Sequence, residues 1–121
     1  MREAEMTDNL ASGPFVDAAA AAWTDLGGGI RRQMLTHDER MMMVRVAFEA
    51  GAIGAPHSHP HIQCSLVESG TFDVTISGVT TRLTAGSSFL VPGDAVHGCV
   101  AVEAGALVDV FTPPRADFLG D

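Results

Sequence analysis

The chain has 121 residues and a formal net charge of -8, and all seven of its basic residues are arginine. A chain of this length forms one domain, burying about two-thirds of the surface it exposes when unfolded. The absence of lysine excludes Schiff-base and lysine-bound pyridoxal chemistry. With an acidic balance and no basic run, nucleic acid is not an expected partner. No apolar run reaches the length of a signal-peptide core or a membrane span, which predicts a cytoplasmic protein without membrane attachment.

Residues 1–13 are polar and mixed, and residues 1–22 are expected to form a flexible segment ahead of one barrel domain over 23–121. The alanine run at 18–22 suits one helical turn but is too short for a stable helix. Beyond Gly27-Gly28-Gly29 the chain turns apolar and β-branched. Strands are predicted over 30–36, 41–49, 62–68, 71–76, 79–83, 88–91, 96–102 and 106–111. Turn formers punctuate them at Ala50-Gly51, Ser69-Gly70, Ser77-Gly78, Pro92-Gly93 and Ala104-Gly105. Short strands this closely spaced argue for an all-β fold, an antiparallel barrel or sandwich. If Ser77-Gly78 is a two-residue hairpin turn, Ile76 faces Val79, Val74 faces Thr81 and Phe72 faces Leu83, and the apolar faces agree.

Met41, Met42 and Met43 are expected to pack in the core, since strand residues alternate faces and methionine fills irregular gaps. The two cysteines, Cys64 and Cys99, read as buried thiols in a reducing compartment.

His57 and His59 stand two apart. On a strand their imidazoles project from one face and can share an ion, with His97 as a third donor. Pro60 interrupts the ladder, so His61 is expected at a bend and Gln63 at the opening of the next strand. Taken singly, each histidine also suits a hydrogen-bonded loop imidazole, His61 most of all. Gln63 equally suits a hydrogen bond to a neighbouring strand. Three imidazoles and an oxygen donor fit one divalent Zn, Ni, Fe, Mn or Co ion, and this donor set does not choose among them.

The stretch from Gly51 through His57-Ser-His59-Pro-His61-Ile-Gln63, with Gly70 further on, resembles the first signature motif of the cupin superfamily. Gly86 through Pro92-Gly-Asp94-Ala-Val-His97 resembles the second. The resemblance implies a jelly-roll barrel, the antiparallel double-stranded β-helix, around a metal. Two positions depart from the motifs. Gln63 stands where an acid is usual, and Asp94 where a glycine is usual.

Trp23-Thr-Asp25-Leu-Gly27-Gly-Gly29, the His57-to-Gln63 segment and the tail Asp109-Val-Phe111-Thr-Pro-Pro-Arg115 narrow the resemblance to KdgF-like pectin-degradation cupins. Membership there implies a homodimer that opens 4,5-unsaturated monouronates to 4-deoxy-5-keto uronates. It implies metal ligation by His57, His59, Gln63 and His97, with Asp109, Phe111 and Arg115 at the substrate. These residue types suit that chemistry, because a carboxylate can move protons and a guanidinium can grip an anionic sugar acid by two parallel hydrogen bonds. Asp109 reads equally as a solvated strand residue and Arg115 as a surface partner of Asp117. A sugar-acid-binding cupin without catalysis and an Fe(II) dioxygenase are the alternative functions.

Overall fold

Gly70 and Gly105 meet where the two longest strands bend. A Cβ on Gly105 would lie 2.6 Å from the carbonyl carbon of Ser69, and one on Gly70 would lie 2.8 Å from the Cα of Gly105. Only a residue without a side chain fits at either place. The computed structural model describes residues 11–119. Within them run β1 (Trp23–Gly27), β2 (Ile30–His37), β3 (Met42–Phe48), β4 (Ile53–His57), β5 (Ile62–Ile76), β6 (Val79–Thr84), β7 (Ser88–Val91), β8 (His97–Thr112) and the short helix α1 (Ala116–Leu119).

β5 and β8 pair with each other along nearly their whole length, antiparallel, from Ile62 opposite Thr112 to Ile76 opposite His97. Both bend at the glycine corner, so each contributes to two layers. In one layer the order is β1-β2-β3-β8-β5-β7, and in the other β4-β8-β5-β6. The bend carries a register shift between Ser69 and Phe72. It moves the buried positions of β5 from Gln63, Ser65 and Val67 to Phe72 and Val74. An extra residue reverses the parity of a strand, and so both halves of β5 turn their inward side chains to one core.

That core holds Phe48, Val67, Phe72, Val74, Ala101 and Leu107 near the corner, with Phe48 and Phe72 edge to face at 5.1 Å between ring centres. A second cluster of Met42, Val44 and Phe111 takes Phe118 of α1 against it. Among the described residues no helix is long and apolar enough to cross a membrane.

The predicted hairpin has the predicted register at all three pairs, and Ser77 and Gly78 both have positive φ, as a tight turn of this hand requires. Ser69-Gly70 and Ala104-Gly105 are corners inside continuous strands, not turns between separate ones. β1 and β4 have no counterpart among the predicted strands. β1 is a short exposed edge strand, and β4 contains Gly54 and Pro56, which read as breakers but are tolerated where a strand pairs on one side only.

The 18–22 run is not helical. Asp17 accepts from the amides of Ala20 and Ala21 in a turn, and the buried Gln33 amide donates to the carbonyls of Ala18 and Ala21. Residues 1–10, part of the expected flexible segment, lie outside the described residues. Of the three methionines only Met42 is core, at 0% exposure, while alternation leaves Met41 at 53% on the other face. Cys64 is exposed, because it faces outward on β5 between Gln63 and Ser65, and Cys99 is half-buried.

The corner sets an expectation for stability. Gly105→Ala should cost about 3 kcal/mol or more, because backbone on the facing strand has to move. Gly86→Ala, at positive φ with nothing within 4 Å of its added Cβ, should cost only about 1 to 2 kcal/mol. Denaturant melts of the two variants check the order.

Candidate metal centre

The site lies at the end of the β5–β8 pair away from the glycine corner, and it draws residues from both layers. His57 closes β4 and pairs directly with His97, which opens β8. Their close approach depends on Gly98, where a Cβ would lie 2.7 Å from the Gly54 carbonyl oxygen and 3.1 Å from the Cα of Pro56. His59 is past the end of β4, in the link to β5. Its position is therefore set by loop bonds and not by the two-residue period of a strand. The carbonyl of His59 accepts from the amide of Asp94 at 2.8 Å. Asp94 has φ +67°, the left-handed conformation that the usual glycine of this motif supplies and that aspartate tolerates better than most residues.

The three rings converge. Centres are 4.4 Å apart for His57 and His97, 4.8 Å for His59 and His97, and 5.4 Å for His57 and His59, and one ligand atom from each lies within 4.8 Å of the others. Each Nδ1 faces a backbone carbonyl: Ala55 at 2.9 Å from His57, His61 at 3.0 Å from His59, and Ala95 at 2.9 Å from His97. A carbonyl only accepts, so each Nδ1 bears the hydrogen and each neutral ring keeps a lone pair on Nε2. Burial holds His59 below the ordinary imidazole range, helped by the positive charge of Arg115, and burial does the same for His97. Neutral rings are what metal ligation needs.

Two contacts fit a cation among these nitrogens. The Nε2 of His97 is buried without a partner. The Nε2 of His59 is 3.2 Å from Oε1 of Gln63, so two acceptors face each other. A divalent ion bound by both would turn that repulsion into ligation. The structure thus brings His57, His59, His97 and Gln63 together. The His61 ring packs edge-on to His59 at 5.4 Å outside the three-histidine group, and His61 serves the cluster through its carbonyl.

Asp109 is buried and not solvated. It stands opposite Ser65 in the β5–β8 register, and Ser65 Oγ donates to its Oδ1 at 2.6 Å. Burial pushes its carboxyl up to about 6. Arg115 does form the ion pair with Asp117, Nε to Oδ1 at 3.0 Å and Nη2 to Oδ2 at 2.9 Å. Its side chain is nevertheless only 15% exposed, with the guanidinium 4.5 Å from the ring centre of Phe118 and 5.4 Å from that of Phe111. His57, Gln63, His97, Asp109, Phe111 and Arg115 all line one cavity of about 210 Å³, whose other wall is apolar, with Leu26, Ile30, Val46 and Phe118. Pockets for drug-sized ligands run to roughly 300–1,000 Å³, so this cavity suits a smaller molecule. Cys99 also lines it, but burial pushes its thiol up to about 11, which removes thiolate chemistry near neutral pH.

Sequence reading missed Ser65, Leu26 and Phe118. Ser65 was within reach, because residues two apart on a strand share a face and Gln63 marks the inner one. Leu26 and Phe118 arrive from β1 and α1, elements with no local signal.

Residues 44–111 match the cupin domain family, and the chain belongs to the cupin superfamily. Within it the chain is KdgF-like. It is 43% identical over 99 residues to the pectin degradation protein KdgF of Dickeya dadantii (strain 3937), covering 80% of this chain and 90% of that protein. Two solved structures superpose closely. An RmlC-like cupin from Shewanella frigidimarina NCIMB 400 has a TM-score of 0.87 at 42% identity over 89% of this chain and 97% of that one. KdgF from Halomonas sp. has 0.84 at 37% identity over 88% and 98%.

A pH signature follows from Asp109. Its folded value lies above the ordinary 3.8, so it adds stability that is complete below about 4 and lost as pH rises through about 6. In chelator-treated protein, Asp109→Asn should melt above the parent at pH 8 and match it near pH 4. Thermal melts across that range test the sign. A variant less stable than the parent at pH 8 would contradict the burial argument.

Proposed function

We propose that the protein is a metal-dependent enzyme that opens 4,5-unsaturated monouronates, small products of pectin or alginate breakdown, to 4-deoxy-5-keto uronates in the cytoplasm. The observation that carries this reading is the meeting, in one small cavity, of His57 and His97 of the three-histidine cluster with Gln63, a buried carboxyl and a guanidinium. The relationship to KdgF supports it. His57, His59, Gln63 and His97 would hold one Zn, Ni, Fe, Mn or Co ion, and that ion supplies Lewis-acid polarisation of sugar oxygens when bound.

The remaining chemistry belongs to the chain. The substrate is a cyclic enol ether. Its C1 hydroxyl loses a proton, the bond from C1 to the ring oxygen breaks, and C4 gains a proton, so the formula is unchanged and no oxidant is needed. Asp109 is suited to hold and release that proton, because a carboxyl titrating near 6 transfers in both directions around neutrality. Arg115 faces the sugar carboxylate, which a protein of net charge -8 must attract locally. Phe111 and Phe118 offer apolar faces to the ring and exclude water.

Purified protein incubated with unsaturated galacturonate or mannuronate should abolish the enol-ether absorbance without consuming oxygen, and chelation should stop it. Arg115→Ala should cut kcat/KM at least tenfold, about 1.4 kcal/mol, mainly through KM. Binding without turnover would instead support a sugar-acid sensor, and oxygen uptake an Fe(II) dioxygenase.

We also propose a homodimer formed through the outer face of β5 and β7. Exposed Ile62, Cys64, Leu66 and Leu90 share this face, with Cys64 opposite Leu90 in the register. A second copy would remove this apolar stripe from water. Light scattering should give twice the 12.6 kDa chain mass, falling to that of one chain in Leu66→Glu. A monomeric parent at micromolar concentration refutes the pairing.

A further inference from the structure

We infer that Ser65 is a positioning residue, fixing which end of the Gln63 amide faces the histidines. The inference rests on the metal-centre reading of the three-histidine cluster.

Ser65 is 2% exposed and carries a single hydroxyl hydrogen. That hydrogen goes to Asp109, at 2.6 Å. The oxygen of Ser65 is then left as an acceptor, and the Gln63 amide nitrogen donates to it at 3.0 Å. With Nε2 committed to Ser65, Oε1 has to face the histidines, where it lies 3.2 Å from Nε2 of His59. The order Asp109, Ser65, Gln63, His59 is thus a directional chain. One strong hydrogen bond to a carboxylate at its far end decides which ligand atom the near end presents.

The Asp109 carboxylate also accepts from the Gln63 side chain, so removing the hydroxyl takes away one of the two acceptors that hold Nε2 and weakens the hold on the amide. Rotated by half a turn, Gln63 would give its N–H to the lone pair of His59 Nε2, a favourable hydrogen bond in the metal-free protein. That bond would occupy the ligand nitrogen and withdraw the oxygen ligand together. Ser65 holds off this self-blocked arrangement, although it is too far along the chain to be a ligand itself. A glutamate at position 63 would escape the requirement, because its two carboxylate oxygens are equivalent.

Cobalt(II) titration separates these roles without reference to turnover. The parent should bind about one equivalent with visible d–d bands, and absence of binding in the parent would overturn the metal-centre reading itself. Given binding, Ser65→Ala should lose at least tenfold in affinity and shift the bands, and Ser65→Thr, which keeps the hydroxyl, should restore both. Introduced into Gln63→Glu, the same Ser65→Ala change should cost little. Parent-like affinity and bands in Ser65→Ala would overturn the inference, and so would an equal loss in the Gln63→Glu background, which would signal general packing damage. Melting temperatures establish that each variant is folded. If Ser65→Ala does not fold, Ser65→Cys, with its weak donor, makes the same comparison.

Discussion

Everything at the open end of the barrel depends on the backbone contact between Gly70 and Gly105 at the closed end. Two antiparallel strands that bend together at one point become two facing layers without a break in their ladder. Near the corner they are close enough for Phe48, Phe72 and Leu107 to fill the gap. Beyond them lies the cavity, which Phe48 and Leu107 also line. Gln63 and Asp109 enter that cavity from one layer, and His57 and His97 from the other. The candidate metal centre is therefore an inter-layer feature. No ligand set drawn from a single hairpin could reproduce it.

The electrostatics of the site follow from the same geometry. A gap walled by apolar residues disfavours charge, so it lowers the basicity of His59 and His97 and raises the value of Asp109. Both effects push toward neutral groups. Backbone carbonyls then choose the histidine tautomers, and the hydroxyl of Ser65 engages the carboxylate. The polar residues of the cavity are thus each oriented by a neighbour before any ligand arrives.

What could be read from the residues alone divides along physical lines. The Ser77-Gly78 hairpin was legible because a tight turn and an alternating pattern fix register locally. The His57, His59, Gln63 and His97 grouping was legible because motif spacing survives the irregular backbone between its members. Ser69-Gly70 and Ala104-Gly105 were misread as turns, since a glycine in a sharp bend looks the same whether the chain reverses or continues. Asp109 and Arg115 admitted solvated readings until tertiary contacts supplied their burial. Cys64 was read as buried on the general tendency of free thiols, although an inward Gln63 turns its neighbour outward.

The loop carrying His59 is fastened independently of its ligand role. Asp94 bonds the carbonyl of His59 from one side, and Gly93 lets the backbone of the 92–95 loop sit against the Pro60 carbonyl, where a Cβ would lie 2.7 Å away. The chain has thus spent its ordering entropy on this loop during folding, and an incoming ion is spared it. A centre fastened in this way would act as an exchangeable socket: an ion held by these histidines would not be needed to order the loop, and it would exchange without unfolding it.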